Sequence, residues 1–289
     1  MNSERYDYII IGAGPAGYEL AAGLSNDGKR VALVEKDSLG GTCLNRGCIP
    51  TKCLCATADA LTVAREAARF GVECQPPTLD FTAVRNRVDR VVATLADGIK
   101  TLLAKTDLYH GEARLLGNGC VDVNEQLIEG DRIVIATGSR PAVLPVPGAE
   151  YALTSDELLS IEQLPASAVI IGGGVIGIEF ASVLCAMGVD VTVVEYCKEI
   201  LPGFDSDVAK RLRTMLSRKG ISFVTGAEVT AIRDEGHEVC YKNRKGETSV
   251  WADMSVMAVG RRPVLPTGLD AAGVELTQRG FIKVDCDML

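Results

Sequence analysis

Cys43 and Cys48, in the stretch Ser38-Leu-Gly-Gly-Thr-Cys43-Leu-Asn-Arg-Gly-Cys48-Ile-Pro-Thr-Lys52, are the residues whose types and spacing point first to chemistry. Four residues separate them, which does not match the C-x2-C spacing of zinc sites. His110 and His237 are the only histidines, so no metal is expected. The spacing suits a reversible disulfide. So small a ring gives only about 2 kcal/mol of stabilisation, which makes the pair a poor staple and a better reagent. Pro50, Thr51 and Lys52 open a helix expected to run through Ala56 to Ala68. A cysteine at a helix N-terminus beside a lysine has its thiolate favoured.

The elements that must position this pair are announced by an internal repeat. Tyr8 to Glu35 aligns without a gap on Ala168 to Glu195, an offset of 160, with twelve of twenty-eight positions identical. Both copies read as an apolar β-branched run, G-x-G-x-x-G, an amphipathic helix, a glycine, a second apolar run and a glutamate: one βαβ unit, stated twice. Gly12 or Gly172 permits the tight turn, Gly14 or Gly174 lets a pyrophosphate approach the backbone, and Gly17 or Gly177 lets the helix pack close. The helix N-terminus offers N–H groups to the phosphates. Glu35 and Glu195, each eighteen residues beyond the third glycine, stand where a carboxylate accepts bonds from ribose hydroxyls. Two copies in register predict two bound dinucleotides. Glu195 argues for NAD at the second site, since a 2'-phosphate would face a carboxylate there.

Length and composition agree with two soluble domains. The chain has 289 residues, 47% hydrophobic and 24% charged, with thirty basic against thirty-eight acidic side chains and a net charge of −8. That balance opposes binding to nucleic acid or an anionic membrane. The N-terminal run, carrying Glu4 and Asp7 and broken by Gly12, Gly14 and Pro15, does not read as a signal peptide, and the chain is taken as cytoplasmic. Ala166 to Val189 is apolar enough to resemble a membrane span, but Gly172 to Gly174 and Glu179 argue for a buried strand, turn and helix. Glu179, on an otherwise apolar helix, calls for a reason. Val84, Val88, Val91, Leu95, Ile99 and Leu102 form one face of a long helix, with Arg85, Arg87 and Arg90 as a solvated face. Gly117 to Gly119 mark a turn in a strand meander. The eight other cysteines are expected to be small apolar residues.

Gly40 to Lys52 (GGTCLNRGCIPTK), with GAGPAG before it and GGGVIGIE after it, closely resembles the FAD- and pyridine-nucleotide-dependent disulfide oxidoreductases, most of all the dihydrolipoamide dehydrogenases. The likeness covers essentially the whole chain. It implies an α/β fold of two Rossmann-like domains, FAD-binding over 1–145 and NAD-binding over 146–265, with 266–289 starting a return to the first. For FAD it implies Gly12, Gly14, Pro15, Ala16, Gly17, Glu35, Lys36, Gly41, Thr42, Lys52, Gly111, Ala113, Ala136, Thr137 and Gly138. For NAD it implies Gly172, Gly174, Val175, Ile176, Gly177, Glu195, Val229 and Gly260. By the same resemblance Cys43 exchanges with a dithiol, Cys48 faces the flavin, and Lys52 sits near the flavin and pairs with Glu179. Ile133 to Pro141 and Met257 to Pro263 look like the segments that close the two domains. His110 is read as structural.

The implied substrate is a dithiol such as dihydrolipoamide, carried by a lipoyl-domain protein of a 2-oxo acid dehydrogenase complex, and the full-length form is expected to be a homodimer. Family members continue into a flavin-binding glycine–aspartate strand and an interface domain with a histidine–glutamate pair, neither of which is found before Leu289. The C-terminal interface domain is accordingly expected to be absent. A lost general base costs roughly 10²–10⁴-fold. A mercuric or other disulfide reductase of the same family, or an inactive nucleotide-binding fragment, are the competing readings.

Overall fold

Continuous β-branched runs such as Ile9-Ile10-Ile11 and Val169-Ile170-Ile171 suit strands buried on both faces, the condition of a parallel sheet covered by helices. The computed structural model describes residues 4–289; Met1 to Ser3, part of the N-terminal stretch read above, lie outside the described residues. Along the chain, β1 (Glu4–Ile11), α1 (Pro15–Asn26) and β2 (Val31–Glu35) form the first βαβ unit. Helices α2 (Gly41–Arg46), α3 (Cys48–Glu66) and α4 (Phe81–Leu102) follow. Then come β3 (Asp107–His110), β4 (Ala113–Gly117), β5 (Cys120–Val123), β6 (Gln126–Ile135) and a short β7 (Ser139–Pro141). After β8 (Leu153–Thr154) and α5 (Ser155–Leu158), the repeat returns as β9 (Ser167–Ile171), α6 (Val175–Ala186) and β10 (Asp190–Glu195). It is followed by α7 (Ser206–Arg218), β11 (Ser222–Thr225), β12 (Glu228–Arg233), β13 (Glu238–Asn243), β14 (Gly246–Trp251) and β15 (Met254–Met257).

The chain divides into two units by its internal contacts. The first comprises residues 1–48, 91–140 and 262–289, and the second 49–90 and 141–261. In the first unit the strand order is β3-β2-β1-β6-β5-β4. β1, β2, β3 and β6 pair parallel, and β4 and β5 complete an antiparallel meander around Gly117 to Gly119. In the second, β11-β10-β9-β15-β8 is parallel throughout, and β12-β13-β14 form a separate antiparallel sheet. The duplication extends to register: Tyr8 pairs with Val31 in one sheet, and Ala168 with Val191 in the other, each 160 residues on.

Alternation along β9 divides the second core. Ala168 and Ile170 pack with Phe180, Leu184 and Val191 on one face. Val169 and Ile171 pack with Val239, Tyr241 and Met257 on the other. In the first unit Ile9 and Ile11 pack with Leu115, Val121 and Ile128.

Some expectations need correction. On α4, Val84, Val88 and Ile99 are buried but Leu95 and Leu102 are exposed. Arg85 and Arg87 are not merely solvated: their long stems carry the guanidinium groups to main-chain carbonyls, Arg85 to Leu159 and Arg87 to Cys53 at 3.1 Å. Cys53 and Cys240 are buried as expected, whereas Cys74 and Cys286 are exposed. Glu179 needs no special reason, because it lies on the exposed face of α6 while its neighbours Ile178 and Phe180 are buried. No helix among the described residues is long and apolar enough to cross a membrane.

Ile170 is fully buried between these layers. Ile170→Ala is expected to lower unfolding free energy by about 2–5 kcal/mol, through lost transfer energy and the cavity left behind. Urea denaturation followed by circular dichroism would read this as a lower midpoint at unchanged slope.

Candidate active site

The same bonds build both fingerprint loops. Gly12 and Gly172 turn with φ of 104° and 108°, and their N–H groups donate to the carbonyls of Val34 at 2.7 Å and Val194 at 2.8 Å. A Cβ on Gly17 would lie 1.8 Å from the Gly12 carbonyl oxygen, and one on Gly177 2.0 Å from that of Gly172, so each helix is pressed directly on its turn. The middle glycines differ. A Cβ at Gly174 would meet nothing within 4 Å, and one at Gly14 would meet only the Cα of Gly41, at 4.0 Å. These two residues are the N-caps of α6 and α1, and neither helix has a side-chain cap. Open space in front of uncapped N–H groups at a positive dipole end is a cradle that fits a pyrophosphate. Pro15 and Ala16 in one loop, Val175 and Ile176 in the other, form the first turn behind it.

A carboxylate locks each loop to the end of its second strand. Glu35 accepts from Ala13 N–H at 2.7 Å with one oxygen and from Asp37 N–H at 2.8 Å with the other. Glu195 accepts from Gly173 N–H and, at 2.6 Å, from Cys197 N–H. Acceptor and both donors are again displaced by 160. Glu195 is 6% exposed, a buried charge satisfied by charge-assisted bonds. Burial, and then the bond to Glu195, push the Cys197 thiol up. Each carboxylate oxygen keeps a second lone pair for a hydroxyl donor.

A cleft beside Glu35 brings together Lys36, Gly111, Ala113 and Thr137, all within the first unit. Gly111 N–H donates to the Glu35 carbonyl at 2.9 Å, and Ala227 N–H to the Glu195 carbonyl at 3.0 Å. Ala136 and Ala258 close the two central strands by donating to Ile11 and Ile171. Gly138 and Gly260 follow at positive φ with open space around them. Val229 lies on β12 opposite Tyr241.

The segment carrying Cys43 and Cys48 is seated on the first loop. Gly40 N–H donates to the Ala13 carbonyl at 2.8 Å, and a Cβ on Gly41 would lie 2.7 Å from the Gly14 Cα. Only paired glycines permit so close an approach. Thr42 and the half-buried Cys43 follow on α2. The long helix opens two residues earlier than its proline suggested, so that Cys48 itself, exposed, holds the first position of α3, where the unpaired N–H groups lie.

Lys52 and Glu179 both lie in the second unit and both are exposed. No ion pair joins them among the described residues. Glu179 instead adds to the effect of burial in pushing up the Cys55 thiol. Of the residues that carry this site, Asp37 and Cys197 act through main-chain N–H groups, which any residue but proline supplies; no side-chain signal could have found them.

Two units that share one βαβ core, each with an open phosphate cradle and a strand-end carboxylate, define a two-dinucleotide protein. The chain belongs to the pyridine nucleotide-disulphide oxidoreductase family, whose model matches residues 6–288. It is similar to a dihydrolipoyl dehydrogenase of Bacillus subtilis (strain 168), 40% identical over 308 residues that take in 97% of this chain and 64% of the relative. One from Acholeplasma laidlawii is 38% identical, with 98% and 86% covered. Among solved structures, the Cu(II) complex of the HOCl-induced flavoprotein disulfide reductase RclA from Escherichia coli matches with a TM-score of 0.84 at 32% identity, covering 99% of this chain and 63% of that one. The chain thus spans under two-thirds of the length of the Bacillus and Escherichia proteins.

Because Glu195 grips two N–H donors, Glu195→Gln tests the second cradle. The amide must turn one NH2 toward a donor, which costs about 1–3 kcal/mol. NADH affinity, read by quenching of nicotinamide fluorescence, is expected to weaken roughly tenfold or more, with little change in flavin content.

Proposed function

We propose that this chain is the dinucleotide-binding part of a flavin-dependent disulfide oxidoreductase passing electrons between a dithiol and NAD, with dihydrolipoamide as the substrate. The observation that carries this is the seating of the Cys43–Cys48 segment on the first phosphate cradle, Gly41 against Gly14. FAD would be held by the first unit through Gly12, Gly14, Gly17, Glu35 and the Lys36–Ala113 cleft, and NAD by the second through Gly172, Gly174, Gly177 and Glu195. Bound FAD supplies a two-electron carrier between the cysteine pair and the nicotinamide.

The chain's own residues account for the thiol chemistry. A substrate thiolate attacks the Cys43 sulfur of the closed pair, breaking the Cys43–Cys48 bond and releasing the Cys48 sulfur as a thiolate. Cys48 leaves from the first position of α3. The second substrate thiol, on losing its proton, displaces Cys43 as a thiolate. The substrate becomes a disulfide, the pair a dithiol, and two electrons pass to the protein. The partner on this reading is a lipoyl-domain protein of a 2-oxo acid dehydrogenase complex, the setting is cytoplasmic, and the assembly is a homodimer. The likeness to RclA supports a second reading, in which NADH reduces a disulfide and electrons run the other way.

Two measurements test this. Purified protein is expected to show a flavin band that gains a long-wavelength shoulder on two-electron reduction; a colourless protein overturns the assignment. Cys43→Ser is expected to lose dithiol turnover by at least about 10³-fold, a size typical for removal of a nucleophile, while NADH-to-dye activity persists. Comparing turnover of dihydrolipoamide plus NAD with that of NADH plus disulfides separates the two directions.

A further inference from the structure

The six residues from Cys43 to Cys48 are shaped by side chains that take no part in thiol exchange. A helix of six residues is too short to hold itself in water, because nucleation costs more than one turn of hydrogen bonds returns. Its geometry must come from outside. Leu44 is 5% exposed and occupies the space where a Cβ on Gly40 would lie, 2.4 Å from a Leu44 methyl carbon and 3.1 Å from Ile99. That anchors the inner face of α2. Arg46, at its end, is ion-paired with Asp37, the residue whose N–H is held by Glu35. At the C-cap a Cβ on Gly47 would lie 2.8 Å from the Thr42 carbonyl oxygen, so the residues preceding the two cysteines are close neighbours across one helical turn.

Between the cysteines stands Asn45. Its Nδ2 donates to the Leu39 carbonyl at 3.0 Å and to the Gly41 carbonyl at 2.9 Å, using both amide hydrogens. Gly41 belongs to the first turn of α2, while Leu39 lies before it. One carboxamide therefore ties the helix to the loop that seats on the phosphate cradle. A disulfide forms only within a narrow range of Cα separations, about 4.4–6.8 Å, so closure depends on how tightly the open dithiol is held near that range.

We infer that Asn45 is a positioning residue of the dithiol site: by bracing the Leu39 and Gly41 carbonyls it orders the segment that carries Cys43 and Cys48 and so sets the equilibrium of their disulfide. The inference rests on the proposed redox role of the pair. Loss of the brace frees the reduced segment, so that closing the ring must order more chain, and the equilibrium moves toward the dithiol. Asn45→Asp is the sharper variant, since it keeps the volume but turns acceptor oxygens toward two carbonyls. Asn45→Ala removes the donors without adding charge.

The test is equilibration of the purified full chain against mixtures of reduced and oxidised glutathione, followed by acid quench, alkylation and mass measurement of the peptide holding Cys43 and Cys48. The closure constant is expected to fall roughly tenfold in either variant, the size of one to two hydrogen bonds. The thermal midpoint of the reduced protein, recorded alongside, guards against general unfolding; should Asn45→Asp lose its fold, Asn45→Ala decides. A wild-type closure constant retained in the folded variants overturns the positioning role and leaves the redox reading standing. A wild-type pair that never closes under oxidising glutathione overturns both.

Discussion

The fold hangs on a carboxylate at the end of a parallel strand that grips the glycine loop beside it. Glu35 bridges Ala13 and Asp37; Glu195 bridges Gly173 and Cys197. Neither loop has side chains with which to fix itself, since its residues are chosen for smallness and turn geometry. The carboxylate supplies the missing constraint through main-chain donors, and it does so within the element that sets sheet register. The cradle is thus shaped by the chain's own bonds, which lowers the ordering cost of binding. A charge as buried as Glu195 is costly without partners, so the bonds that shape the loop also make the burial tolerable.

The two copies share this clamp and then diverge at one carbonyl. In the second unit the carbonyl of Gly173 accepts from Leu201, in a loop that goes on to α7. In the first, the equivalent carbonyl, of Ala13, accepts from Gly40, which opens the segment that carries Cys43 and Cys48. One hydrogen-bonding slot thus receives an ordinary connection in one copy and the cysteine-bearing helix in the other. The cysteine segment is added to the duplicated βαβ frame without altering its register.

Much of this was legible from sequence because the controlling constraints are local and periodic. The two βαβ units, their glycines and their glutamates follow from spacing alone, and the closing strands around Ile133 and Met257 fall where the resemblance implied. What escaped depends on where side chains end up rather than on their order. Arg85 and Arg87 fall off an apolar stripe yet reach carbonyls on other elements, which no periodicity reports. Glu179 looks out of place on an apolar helix until its neighbours are seen to be buried and itself exposed. Proline marked α3 two residues late, because the first turn of a helix tolerates it at more than one position. Asn45 drew no notice beside two cysteines, for its role lies in carbonyls that every residue possesses.

The approach of Gly41 to Gly14 leaves two strips of main chain with no side chain between them to absorb displacement. Mechanically, such a junction behaves as a rigid bearing: movement of one loop is passed to the other undamped. A dinucleotide that stiffens the first phosphate cradle therefore also stiffens the mounting of Cys43. Cradle and cysteine mounting are joined there by backbone alone.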